Sequence, residues 1–140
     1  MKKSHQWHIL GWLFLLIVLT STAFAQMLPD VKPLYEEILM FNAAIDITNS
    51  GYAKCVSDIE VNNSSNEIDL TMSLQRSSNK GRTWSTIKTW DTSDYGFTAL
   101  EEGWYVTSGY SFRVKATAEV FDESGNLLES DSIISLVEKY

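Results

Sequence analysis

The sequence predicts an all-β fold, an antiparallel β-sandwich of about seven short strands. Three observations predict it. Turn-forming clusters recur at short intervals, at Asn49-Ser50-Gly51, Asn62 to Asn66, Ser77 to Gly81, Glu101-Glu102-Gly103, Ser108-Gly109 and Glu123 to Asn126. Between them, apolar and polar residues alternate with a period of two, the pattern of strands with one wet face. No proline follows Pro33.

The elements follow in order. Leu34 to Met40 is either one helical turn or the lead-in to a strand, and Ala43, Ile45 and Ile47 mark a short first strand. In Ala53 to Val61 the inward set is Ala53, Cys55, Ser57, Ile59 and Val61. In Ile68 to Gln75 it is Ile68, Leu70, Met72 and Leu74, and in Tyr110 to Val120 it is the even positions from Tyr110 through Phe112 to Val120. Ser85 to Trp90, Trp104 to Val106 and Leu127 to Leu136 complete the set. Ser132 to Leu136 carries adjacent apolar residues, so its inward face is not defined, and a long apolar edge there is an aggregation hazard. Two sheets packed face to face is the economical arrangement.

Met1 to Ala25 has the build of a secretory signal peptide. Lys2 and Lys3 form its positive start, Ile9 to Leu19 its apolar run, and Ala23-Phe24-Ala25 its small-x-small cleavage site. Residues 26–38, with Pro29 and Pro33, form an N-terminal tether, and residues 39–140 the sandwich domain. The expected product is therefore secreted and extracellular, with no membrane span in the mature chain. Its Lys-Lys start suits a bacterial signal.

The composition excludes several function classes. The whole chain has 140 residues, 11 Lys+Arg against 18 Asp+Glu, and 44% apolar residues. Loss of Lys2 and Lys3 with the signal leaves nine cations and a net charge of −9. His5 and His8 leave too, which removes a histidine triad, histidine metal ligands and a histidine proton shuttle. Cys55 alone makes neither an intrachain disulfide nor a cysteine zinc site. The acidic balance, spread along the chain, disfavours nucleic acid.

Four candidate chemistries remain. Trp84 and Trp90 are six residues apart, so on a regular strand they share a face with Thr86 and Lys88 while Ile87 points away. If Ile87 faces the core, both indoles form an outer platform for a sugar or a protein; if the indoles face the core, Ile87 is an exposed apolar residue. A bulge at Thr83 would change the phase. Trp104, Tyr105, Tyr95 and Phe97 add aromatic material nearby. Paired carboxylates, Glu101-Glu102 or Asp91 with Asp94, leave a small glycoside hydrolase open as an alternative, since that chemistry needs no histidine. The oxygen-rich stretches Asp91 to Asp94 and Asp122 to Asn126 lack the spacing of an EF-hand, and Gly125-Asn126 reads as a hairpin turn. Cys55 reads as a buried small apolar residue. No metal and no cofactor is expected.

Two hairpins resemble immunoglobulin-like and fibronectin type III domains. Leu74 to Trp84 looks like their C to C′ hairpin, and Tyr110-Ser111-Phe112-Arg113-Val114-Lys115-Ala116 like their strand F, where the resemblance makes Tyr110 the candidate for a tyrosine corner. Cys55 stands where such domains carry the first disulfide cysteine on strand B, and Phe112 where they carry the second. The segments Trp84-Ser85-Thr86-Ile87-Lys88-Thr89-Trp90 and Gly109-Tyr110-Ser111-Phe112-Arg113-Val114-Lys115 resemble an uncharacterised family of small exported proteins of Gram-positive bacteria. Ser77-x-Asn79-x-Gly81-x-Thr83-Trp84 is similar to the sialidase Asp-box, with Asn79 in the Asp position. That resemblance implies a self-bonded hairpin with Gly81 at positive φ, and no catalysis. The function expected overall is a non-enzymatic binding module for an extracellular protein or, alternatively, a polysaccharide held by exposed tryptophans. Trp84, Lys88, Trp90 and Trp104 are the binding candidates, and Tyr110, Gly81 and Cys55 the structural ones.

Overall fold

A computed structural model describes residues 36–140. The expected signal peptide and nearly all of the tether lie outside the described residues. Among the described residues no helix is long and apolar enough to cross a membrane.

The structure is all-β. Its strands are β1 (Ile38–Ile47), β2 (Tyr52–Val61), β3 (Glu67–Ser77), β4 (Ser85–Tyr95), β5 (Phe97–Tyr105), β6 (Ser111–Phe121), β7 (Leu127–Ile134) and the two-residue β8 (Glu138–Lys139). They form two antiparallel sheets packed as a sandwich. One has the order β1-β2-β5; the other has the order β4-β3-β6-β7, with β8 also paired to β6.

The alternation predicts the core correctly in the central strands. Ala53, Cys55, Ile59 and Val61 of β2 are buried, as are Ile68, Leu70, Met72 and Leu74 of β3 and Phe112, Val114, Ala116, Ala118 and Val120 of β6. Each of these strands is paired on both sides, so its inward row is covered along its whole length. Ser57 shares that buried row because its hydroxyl donates to the Asn42 carbonyl at 2.7 Å.

Three edge strands extend beyond the expected spans. β1 and β4 lengthen, and β5 starts at Phe97 and takes in Glu101-Glu102-Gly103, expected as a turn, because β2 pairs with it from Tyr52 to Glu60. β7 instead ends at Ile134, short of Leu136. β1 starts at Ile38, where Glu129 of β7 accepts from the backbone N–H groups of Glu37 (2.9 Å) and Ile38 (3.2 Å). β4 runs on to Tyr95, and the chain then changes sheets over the single residue Gly96 before β5. Gly96 has φ +74°, and a Cβ there would lie 2.9 Å from the Ser64 Cα, so only glycine makes this step without displacing backbone.

The ambiguous segment at Ser132 to Leu136 resolves into a broken edge. Val114 donates its N–H to the Ser135 hydroxyl at 2.9 Å, while Ser135 N–H donates to the Val114 carbonyl at 2.9 Å. A side-chain oxygen thus replaces a strand carbonyl, pairing resumes only at Glu138, and Leu136 and Val137 project into solvent. Interruptions of this kind blunt an edge against intermolecular pairing.

Candidate functional site

The two tryptophans expected to share a face are separated by a bulge at Ile87, not at Thr83. Leu74 pairs with Lys88 and Gln75 with Thr86, which leaves Ile87 as the extra residue. Beyond the bulge the phase is reversed. Lys88 and Trp90 stand opposite the buried Leu74 and Met72, so they face the other sheet, and Trp90 packs against the core. Trp84 lies on the outer side, under the Arg113 guanidinium at 4.2 Å from the ring centroid. The single indole platform is therefore replaced by two separate aromatic environments.

The first environment is the hairpin between β3 and β4. The Ser77 hydroxyl donates to Asn79 Oδ1 at 2.9 Å and accepts from the N–H groups of Asn79 (3.3 Å) and Gly81 (2.8 Å). Asn79 Oδ1 also accepts from Thr83 N–H at 2.9 Å, and its amide donates to the Thr83 hydroxyl at 2.8 Å. Trp84 Nε1 donates to the Gly81 carbonyl at 3.0 Å. Lys80 and Gly81 take positive φ, 60° and 85°. Each conserved-type position of the Asp-box pattern thus has a bond within the hairpin, and Asn serves where Asp is usual because its Oδ1 supplies the acceptor. Trp84 and Gly81 are structural here.

The second environment is the side of the sandwich where edge strands β4 and β5 approach each other. Trp104 pairs with the buried Ala53 and so faces the opposite sheet from β5, as Trp90 does from β4. Lys88 lies between them, with Nζ 4.9 Å from the Trp104 ring centroid and 5.9 Å from that of Trp90. The cation bridges the two sheets through ring faces. Trp104 remains 43% exposed and Tyr105 72% exposed. Structure thus brings Lys88, Trp90 and Trp104 together and leaves Trp84 elsewhere.

Tyr52 is a residue that the sequence reading misses. Its ring lies across Gly103, where any Cβ would overlap the Tyr52 hydroxyl, and makes an edge-to-face pair with Tyr105 at 5.2 Å. The sequence reading puts Gly103 in a turn; the structure places it inside β5, where a glycine marks a close approach. Tyr52 and Tyr105 form an exposed aromatic pair on the outer face of the β1-β2-β5 sheet, and the preceding Trp104 points to its inner face.

The remaining candidates have local roles. Glu101 pairs with Lys54 at 2.7 Å, which raises the Lys54 pKa, while Glu102 is exposed on the edge. Asp91 and Asp94 are both exposed, and Asp94 accepts from Tyr95 N–H at 2.8 Å. Asp122 accepts from the backbone N–H groups of Ser124 (2.9 Å) and Asn126 (2.8 Å) and from the Asn126 amide (2.9 Å), which hold its carboxyl below the usual range. This is the hairpin turn expected at Gly125-Asn126. Among the described residues no cluster of His, Cys, Asp or Glu has the geometry of a metal site. Cys55 is buried, and desolvation pushes its thiol up to about 11.

Tyr110 is fixed by other means than a tyrosine corner. Its backbone exchanges hydrogen bonds with Tyr140, both at 3.1 Å, and its ring lies under Arg76 at 4.6 Å. No bond from its hydroxyl to upstream backbone is present among the described residues.

No protein-family model matches this chain, and no curated protein matches it.

Proposed function

We propose that the chain is an exported, non-enzymatic interaction module that contacts an extracellular protein through the aromatic side formed by β4 and β5. The observation that carries this reading is the exposure of two aromatics at the end of edge strand β5, Tyr105 paired with Tyr52 on its outer face and Trp104 under Lys88 on its inner face. Large aromatics held rigidly at a surface are the side chains that dominate protein contacts. Trp104 is held by a cation and Tyr105 by a ring, so little side-chain entropy is lost on binding.

Several features support the architecture and the non-enzymatic role proposed here. β3 and β4 read as strands C and C′, β6 as F and β7 as G, and they share one sheet. β1, β2 and β5 read as A, B and E, and they share the other. This division supports an immunoglobulin-like, fibronectin type III-like sandwich. The two segments that resemble the Gram-positive exported family meet in space, since Arg113 of one covers Trp84 of the other. The involvement of Glu101 with Lys54 supports a non-enzymatic role.

The test uses the full chain expressed in an exporting bacterium and recovered from the medium as bait for extracellular proteins. Mass spectrometry of the bait is expected to give Gln26 as its first residue. Trp104→Ala and Tyr105→Ala, each checked for folding, are expected to lose the partners that the wild type retains, and Leu136→Asp on the opposite side to keep them. Retention by all three folded variants would overturn the assignment of this surface.

A further inference from the structure

The cations of the described chain are segregated, contrary to the even spread of charge read from the sequence. Apart from Lys54, every Lys and Arg from residue 36 onward lies in 76–88, in 113–115 or at 139. The segments 75–90 and 103–118 contain no Asp or Glu. The only ion pair among the described residues is Lys54–Glu101, so none of the segregated cations has a carboxylate partner there.

Strand register turns this into a surface. The face of the β4-β3-β6-β7 sheet that points away from the other sheet is crossed by the row Thr86, Gln75 and Arg113, then by the row Thr89, Ser73 and Lys115. The rows are tied by hydrogen bonds, Arg113 Nε donating to Gln75 Oε1 at 2.8 Å and the Ser73 and Thr89 hydroxyls lying 3.3 Å apart. Lys80 and Arg82, both exposed, project from the adjoining hairpin. Negative charge enters in the next row at Asp91, opposite Thr71, and dominates only beyond it, where Asp69 pairs with Glu119. Arg113 and Glu119 are six residues apart on β6, about 20 Å. That exceeds twice the Debye length of about 8 Å at physiological ionic strength, so Glu119 is screened from Arg113. The one carboxylate nearer, Asp91, lies in the row about 7 Å beyond Lys115 and leaves the cations there in excess.

We infer that this hairpin end of the outer face binds a carboxylated polysaccharide. Arg113 is held flat between Trp84 and Gln75 with its terminal nitrogens available for a carboxylate fork. Lys115, Lys80 and Arg82 supply further charge, and the hydroxyls of Thr86, Ser73 and Thr89 suit sugar hydroxyls. The exposed apolar residue of these rows, Ile134, pairs with Lys115 at the β7 margin and does not stand at the centre, where a protein contact has its apolar residues. Stacking of nucleobases is disfavoured because the Trp84 ring already carries Arg113.

The test measures binding of the full exported chain to polygalacturonate, with dextran as the neutral polymer and polyglutamate as the acidic polypeptide. Expected are salt-sensitive binding to polygalacturonate, none to dextran, weaker binding to polyglutamate, and a loss of about tenfold in affinity in Lys80→Gln/Arg82→Gln/Lys115→Gln. These positions are exposed or carry no tertiary bond, so the variant is expected to fold, as circular dichroism will show. Glu119→Gln at the acidic end is the control and should bind at least as tightly as wild type. No binding to polygalacturonate at low ionic strength, equal binding by the folded triple variant, or equal binding of polyglutamate would each overturn the inference.

Discussion

The two open sides of the sandwich handle the same problem differently. On the β1/β7 side, the Glu129 carboxylate accepts from two backbone N–H groups at the start of β1, and the Ser135 bulge breaks the line of β7 and β8. Polar groups and an interruption protect that edge. On the β4/β5 side, Lys88, Trp90 and Trp104 fill the gap, and Trp104, Tyr105 and Tyr52 stay exposed. That edge carries the Ile87 bulge and Lys88, and its exposed rings are apolar surface left in water. The difference bears on where contact is proposed: aliphatic side chains, among them Leu39, Leu127, Ile134 and Leu136, are exposed on the β1/β7 side, and rigidly held aromatic rings on the β4/β5 side.

The largest expected effect breaks the aromatic side at its origin. Gly96→Ala forces positive φ on alanine and crowds the Ser64 backbone, with an expected cost of about 2–4 kcal/mol. Urea denaturation checks this, and a cost near zero would mean that the step between sheets is not as tight as described.

Cys55 reports on the same side from beneath, since it pairs with Glu102 of β5. Its folded pKa of about 11 exceeds the ordinary 9.0, so the folded state holds the proton more tightly than the unfolded state. The thiol contribution is therefore complete below pH 9.0 and is lost as pH rises through about 11. It amounts to about 3 kcal/mol across that window. Cys55→Ala should lack this part of the alkaline decline when the two proteins are unfolded in parallel at pH 8 to 11. The native thiol is also expected to resist alkylation at neutral pH.

The guarded side is tested by Glu129→Ala, which leaves two partly buried N–H groups without an acceptor. The expected loss is about 1–3 kcal/mol, and Glu129→Gln, which keeps an acceptor oxygen, should lose less. Equal losses in both would point to charge as the important property instead of the hydrogen bonds. The smallest effect on stability is expected for Trp104→Ala, about 1–2 kcal/mol, because it removes one cation–π contact and the covered part of a 43% exposed indole. Its effect on partner binding should be large, which separates contact from scaffold.

Most of the fold was legible. β2, β3 and β6 are central strands covered on one face, and such strands show their burial as clean alternation. The self-bonded hairpin between β3 and β4 was legible because its bonds lie within Ser77 to Trp84. The phase of Lys88 and Trp90 was not, because the bulge at Ile87 leaves no mark in residue type. Tyr52 and Tyr105 come together through the pairing of β2 with β5, half the domain apart in sequence, which periodicity does not report. The cationic end was legible in principle: the acid-free segments 75–90 and 103–118 stand in the sequence, but only the pairing of β3 with β6 makes them one surface.

The most direct test of the central claim is site-specific photocrosslinking in the extracellular fraction. A photoreactive phenylalanine analogue replaces Tyr105 on the aromatic side or Leu136 on the guarded side of the full exported chain. The account predicts a discrete protein adduct from position 105 that disappears when Trp104→Ala is added, and none from position 136. Adducts of equal yield from both positions, or from 136 alone, would contradict it.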